Sequence, residues 1–351
     1  MGLVEYLKMA VEMGGSDIFL IPGARCSVKV EGSFRELSED KLMPAAVDEL
    51  ITQMYQLAGR DPSLAREKGD DDFSFAILDL SRFRCNAYLQ RGSLAAIIRI
   101  VAFDLPHVEE LHIPACVMEL TKLRNGMILV TGPAGSGKST TLACMIDRIN
   151  STRSGHSVTI EDPIEHLHRH KMSLVTQREV PGDARSFSGA LRAALRQAPD
   201  VVLLGEMRDL DTIQTAITAA ETGHLLLSSL HTSGASRTVD RIIDTFPAAQ
   251  QTQVRAQLAL VLRAVVSQHL VPTVDGEAAP VFEVMTVNPA IQNMIRDGRT
   301  HMIENAIFSG NERQGMMSMD NELQRLVRSG RITKDTALSY AANPEMLAKR
   351  I

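Results

Sequence analysis

The chain is 351 residues long, 44% hydrophobic and 23% charged, with a formal net charge of −5, a length that suits two globular domains rather than one. That acidic balance gives no general attraction to nucleic acid or anionic lipid, and the absence of Trp with only 4 Tyr leaves few platforms for base stacking. Cys26, Cys85, Cys116 and Cys144 form no C-x-x-C pair, which argues against zinc and disulfide frameworks and fits a reducing cytoplasm, while the longest apolar run, Leu258 to Val266, is short and broken by Arg263, so no direct membrane insertion is expected.

In chain order, the pattern from Gly2 to about Val101 predicts a helix followed by short alternating strands. The strands are expected at Asp17 to Ile21, Ser27 to Val30, Phe73 to Ile77, Arg82 to Leu89 and Ala95 to Ile100, with a second helix near Ala45 to Leu57. Residues 1–102 therefore read as a small α+β domain. Prolines at Phe103-Asp104-Leu105-Pro106 and Ile113-Pro114 interrupt both periodicities and put a linker, with a plausible hinge, at residues 103–116. From there to residue 351 the chain reads as α/β. Met127 to Thr131, Ser157 to Ile160, Val201 to Gly205 and Leu225 to Leu230 read as apolar strands that lack strict period-two alternation, as central parallel strands do. After Pro247 the expectation is largely helical, with Ala249 to Val266, Pro289 to Arg296 and Asp320 to Ser329 as the best segments.

Gly132-Pro133-Ala134-Gly135-Ser136-Gly137-Lys138-Ser139 matches G-x-x-x-x-G-K-[ST] at every fixed position, between an apolar strand and a helix opening at Thr140. The glycines let backbone N–H groups turn inward around a β-phosphate, Lys138 sets a positive charge over the β/γ oxygens, and Ser139 offers a hydroxyl to Mg²⁺. A nucleoside triphosphate is the ligand this implies. In a parallel sheet, ligands gather beyond the carboxyl ends of the strands. The four apolar runs end in this loop, in Glu161-Asp162, in Glu206 and in His231.

Glu206 is the expected catalytic base. Gly205 stands where many such enzymes carry a Mg²⁺-linked Asp, so the metal would depend on Ser139, phosphate oxygens and water, with Glu161 behind the water. His231, at the carboxyl end of its strand, is the expected phosphate sensor. His224 lies at the far end, about 23 Å away by the usual strand rise, where packing or a subunit contact would equally explain it. Arg82 and Arg84 share a strand face by period two, and Arg91 and Arg99 follow. They read either as a solvated face or as arginines that approach the phosphates of a neighbouring subunit.

With these residues in view, the chain resembles the retraction ATPases of type IV pili, the PilT family of the secretion ATPase superfamily, from about residue 3 to about residue 340. Thr159-Ile160-Glu161-Asp162-Pro163-Ile164-Glu165 is similar to the family's Asp box and Gly205-Glu206-Met207-Arg208-Asp209 to its Walker B. Ala219 to His224 through Leu230-His231-Thr232 resembles its His box, and Gln177 to Val180 and Leu191 to Arg196 resemble further family segments. Ala290-Ile291-Gln292-Asn293-Met294-Ile295-Arg296 is similar to the retraction signature A-I-R-N-L-I-R, with Gln292 in place of the first arginine. From spacing alone, the same segment reads as an amphipathic core helix.

The resemblance implies a PAS-like N-terminal domain and a RecA-like P-loop ATPase core in a homohexameric ring that binds ATP with Mg²⁺. It implies that Arg82, Arg84, Arg91 and Arg99 face nucleotide held mainly by the core, and it puts His224 in the nucleotide-site set. The partners it implies are an inner-membrane pilus platform protein and, for some members, a paralogous pilus ATPase, with the motor cytoplasmic and peripheral to the membrane. A short N-terminal region and the missing tetracysteine motif favour retraction over assembly or type II secretion. The rivals are an assembly or secretion ATPase, a regulatory subunit that needs a partner for force, and a RecA-like motor on nucleic acid, which the net charge disfavours.

Overall fold

The computed structural model describes residues 1–101, 105, 108–311 and 314–351. Phe103, Asp104 and Pro106 of the expected linker lie outside the described residues. Two compact units divide the chain: residues 1–104 with 165–167, and residues 105–164 with 168–351.

The first unit is an antiparallel sheet in the order β3-β2-β1-β6-β5-β4. Its strands are β1 (Asp17–Leu20), β2 (Arg25–Val30), β3 (Ser33–Lys41), β4 (Asp70–Ile77), β5 (Ser81–Gln90) and β6 (Ser93–Val101). Alternation decides which face is covered. On β5, Ser81, Phe83, Cys85 and Ala87 are buried while Arg82, Arg84 and Asn86 point the other way. The buried set packs with Leu3 and Leu7 of the helix Leu3–Glu12 and with Val47, Ile51 and Met54 of the helix Pro44–Leu57. β3 was not expected from the sequence for a physical reason: it is an edge strand whose only buried residue is Leu37, so its polar composition carries no apolar period.

The second unit holds a seven-stranded sheet in the order β13-β12-β7-β11-β10-β8-β9. Its strands are β7 (Gly126–Thr131), β8 (His156–Glu161), β9 (Leu174–Glu179), β10 (Val201–Leu204), β11 (Leu225–Leu230), β12 (Leu262–Pro272) and β13 (Ala278–Thr286). All pairings are parallel except β12 with β13, and every residue of β7, β10 and β11 is buried. Side chains alternate between two cores. Met127 and Leu129 face the helices Phe187–Ala194, Leu210–Glu221, Ala235–Asp244 and Ala248–Val261. Ile128 and Val130 face Leu142, Met145, Ile146 and Ile149 of the helix Lys138–Thr152. This is the α/β architecture expected, a parallel-rich sheet between helical layers.

One expectation fails. The helix expected from Ala249 to Val266 ends at Val261, and Leu262 begins β12 with no intervening loop. The apolar run that looked like one element is the end of a helix plus a buried strand, each apolar for its own reason. β12 turns into β13 through Asp275-Gly276, where Gly276 has φ of +85°, and that Asp-Gly pair was the available hairpin signal. Pro289–Arg296 is helical as expected, with Ile291 and Ile295 fully buried and Gln292 only partly covered. No helix of the described residues is long and apolar enough to cross a membrane.

Candidate active site

β7 delivers the chain to Gly132, and the helix Lys138–Thr152 starts directly after Gly137, which caps it in the left-handed region. Gly132, Gly135 and Gly137 have φ of +143°, +75° and +86°, so the loop curls as only glycine readily allows. Pro133, Ala134 and Gly135 are exposed, whereas Ser136 is buried and its Oγ has no hydrogen-bond partner among the described residues. Lys138 is almost wholly buried and its Nζ donates to the carbonyls of Gly132 (3.0 Å) and Pro133 (2.7 Å), which draws the ammonium across the mouth of the loop. Glycine curvature, an unpartnered buried hydroxyl, a tethered cation and a helix N-terminus together fit an anionic phosphate chain. Ser139 is exposed and Thr140 partly so, at the start of the helix.

Strand register brings the other candidates to the same edge. Thr131 pairs with Leu230, Leu204 with Ser228, and Leu204 with Ile160. The phosphate loop, His231, Glu206 and Glu161 therefore all emerge from the carboxyl edge of adjacent strands. Glu206 is mostly buried, its Oε2 lying 2.5 Å from Arg208 Nε and 3.5 Å from Nε2 of the half-exposed His231. Glu161 accepts hydrogen bonds from Thr159 Oγ1 (2.6 Å) and Gln177 Nε2 (3.3 Å), so its oxygens are oriented by β8 and β9.

Residues the motifs did not single out hold Glu206 in place. Ser228 Oγ donates to the carbonyl of Leu204 (2.7 Å) and Ser229 Oγ to that of Gly205 (2.6 Å), which accounts for two hydroxyls inside an otherwise apolar strand. Asp209, next in the same motif, caps the helix Leu210–Glu221 by accepting from the Thr212 amide (2.9 Å). Gly205 also finds a reason. A Cβ there would stand 3.3 Å from Glu161 Cα and 3.3 Å from the Ile160 carbonyl, so the close approach of the β8 backbone leaves little room for a side chain at this position. Beyond His231, the chain is tied down by Gly234, whose amide donates to Ser267 Oγ (2.9 Å), and by Ala235, whose amide donates to Glu283 Oε1 (2.8 Å). Burial pushes the Glu283 carboxyl above the usual range, with Glu304 and Asp320 adding to the effect.

Two sets of candidates stand elsewhere. His224 precedes β11 at the amino edge, where Leu225 pairs with Gly126, and its Nδ1 lies 3.1 Å from both Thr222 Oγ1 and the Ala219 carbonyl. Within one chain it does not reach the phosphate loop. Arg82, Arg84, Arg91 and Arg99 belong to the first unit. Arg84 pairs in register with Arg99, whose Nε donates to Asp17 Oδ1 (2.8 Å), and both line a surface cavity of about 260 Å³ with Asp72 and Asn86. Arg91 is exposed in the β5–β6 turn.

A second cavity, of about 310 Å³, opens beside the loop, lined by Gly137, Thr140, Thr141, Gln268 and Leu270 together with Leu111, Ile113, Pro280 and Arg331. Leu111, Ile113, Leu270 and Pro280 give it an apolar wall while Glu110, His112, Glu277 and Arg331 put ionisable groups around the rest, a mixed lining that can take the nucleoside half of a nucleotide.

Known proteins carry the same plan. The chain is 40% identical over 345 residues to the type IV pilus retractation ATPase PilT of Pseudomonas aeruginosa, covering 98% of this chain and 99% of that protein. It is 38% identical to the type IV pilus ATPase PilU of the same organism over 96% of this chain and 88% of that one. A crystal structure of the pilus retraction motor PilT with bound ADP superposes with a TM-score of 0.89 at 42% identity, covering 99% of both chains. The model of the Type II/IV secretion system protein family matches residues 3–347, and the chain belongs to that family of secretion ATPases.

Proposed function

We propose that the chain hydrolyses ATP to ADP and phosphate and spends the free energy on type IV pilus retraction, as a cytoplasmic homohexamer working against a pilus platform protein at the inner membrane. The observation that carries the chemistry is the convergence of the phosphate loop, Glu206 and His231 on one sheet edge. Full-length similarity to retraction ATPases supports the biological role.

In this reading the amides of Gly135 and of Gly137 to Thr140 and the ammonium of Lys138 hold the β- and γ-phosphates, while the cavity beside Gly137 takes the nucleoside. Ser139 would be the direct side-chain ligand of a Mg²⁺ ion and Glu161 would reach it through water, and the ion would supply positive charge against the triphosphate. Glu206 orients a water in line with the γ-phosphorus and accepts its proton as the new P–O bond forms and the bond to the bridging oxygen breaks, releasing ADP. His231, beside Glu206, lies where a γ-phosphate contact would report the nucleotide state. Across a ring, Arg82, Arg84, Arg91 and Arg99 of a neighbouring copy would add positive charge to the transition state. His224 would act through packing or a subunit contact.

Pilus imaging in a strain lacking this chain, complemented by wild type or Lys138→Ala, tests the reading. Retraction restored by wild type alone supports it. Loss of pili on deletion would mean assembly instead, and normal retraction in the deletion strain would remove the assignment. Near-equal similarity to PilU favours one second reading, an ATPase that delivers force only beside a paralogue; retraction that also vanishes when the paralogue is deleted would establish it.

A further inference from the structure

We propose that Gln268 of β12 is a positioning residue of the phosphate loop, one that fixes the loop's shape from behind and so sets nucleotide affinity. A buried amide in an apolar strand is costly unless its groups are used, and Gln268 is only 5% exposed, one residue beyond Ser267, which pairs with Thr131 at the end of β7. Its Oε1 accepts a hydrogen bond from Thr141 Oγ1 (2.7 Å), in the first turn of the helix after the loop. That bond fixes the amide's orientation and turns Nε2 toward the loop, 2.8 Å from where a Cβ on Gly137 would stand. The backbone of the same residue closes on the other end: the Gln268 carbonyl oxygen lies 2.1 Å from the site of a Cβ on Gly132.

The first and last glycines of the loop are thus both pressed against one residue, while Gly135 between them has nothing within 4 Å of its Cβ position. Gly132 is required by packing against the Gln268 backbone as well as by its φ, whereas Gly137 meets only the end of the Gln268 side chain and, like Gly135, is required by φ. Gln268 also lines the cavity beside the loop together with Gly137 and Thr141, so it borders both halves of the nucleotide site. Neither the G-x-x-x-x-G-K-S pattern nor the strand-end residues point to it, because it lies 130 positions after Lys138.

The proposal rests on the nucleotide-binding reading, and titration of the full-length wild type with Mg·ATP checks that reading separately: no binding there defeats the reading, not the role of Gln268. Gln268→Leu keeps the side-chain volume and removes both polar ends. It is expected to raise the Kd and KM for ATP by about tenfold, the scale of one or two lost hydrogen bonds, with kcat at saturating ATP within about threefold of wild type. Thr141→Val is expected to weaken binding in the same direction, and the double variant to bind about as well as Gln268→Leu alone, because both changes break one contact. Unchanged Kd and KM in Gln268→Leu would overturn the proposal, as would additive losses in the double variant. Should Gln268→Leu fail to fold, Thr141→Val decides alone, and unchanged ATP affinity there overturns it.

Discussion

At the amino edge of the parallel sheet, His224 lies within hydrogen-bond reach of Thr222 and the Ala219 carbonyl, and the His156 ring stands between the Gln197 carbonyl and Thr176 while Asp200 accepts from the His156 amide. At the carboxyl edge of the same strands, His231 is half exposed beside a carboxylate, and hydroxyls from inside β11 hold the backbone that carries this carboxylate. The two edges use the same residue types. At one, polar groups are satisfied by the turns and strands around them and so secure the fold. At the other, hydroxyls inside the sheet brace the backbone that carries the mostly buried Glu206 carboxylate beside the half-exposed His231, and such pre-organisation suits catalysis.

Four substitutions sharpen or break this contrast. Lys138→Ala removes the charge tethered across the loop and is expected to cut ATP hydrolysis by about 10³-fold, read as steady-state phosphate release with the fold checked by circular dichroism. Gly205→Ala should destabilise the protein by about 2 kcal/mol through overpacking against β8, seen as a lower urea midpoint; an unchanged midpoint would remove the packing explanation for Gly205. His231→Ala should lower kcat/KM by about tenfold, or 1.4 kcal/mol, with little change in melting temperature. His224→Ala should do the opposite, costing about 1 kcal/mol of stability while leaving the ATP Kd of the isolated chain unchanged. A His224 variant that lost ATP affinity without losing stability would erase the distinction between the edges.

The legibility of the sequence rests on the same physics. β7, β10 and β11 announce themselves because strands buried on both faces read as largely apolar runs, β8 follows with Val158 and Ile160 alternating with small hydroxyl residues, and the residues after their carboxyl ends are the candidates for the site. β3 and β9 are edge strands with mixed polar sequences, Ser33–Lys41 and Leu174–Glu179, and neither carries a usable period. The junction at Val261 and Leu262 is hidden because helix and strand are both apolar there. Within the site, Lys138, Glu206 and His231 are legible from motif and position. Gln268, Ser228 and Ser229 are not, since each is a polar residue inside an apolar strand whose partner is supplied by a neighbouring strand or helix. Gly205 stands out in the sequence as a glycine just before Glu206, but its close approach to β8 is supplied only by the fold.

The most direct test of the account measures ATP binding and ATP hydrolysis side by side in Glu206→Gln. The account predicts an ATP Kd within about threefold of wild type and a hydrolysis rate lower by about 10²- to 10⁴-fold, the range for loss of a general base. Hydrolysis at near the wild-type rate would contradict it.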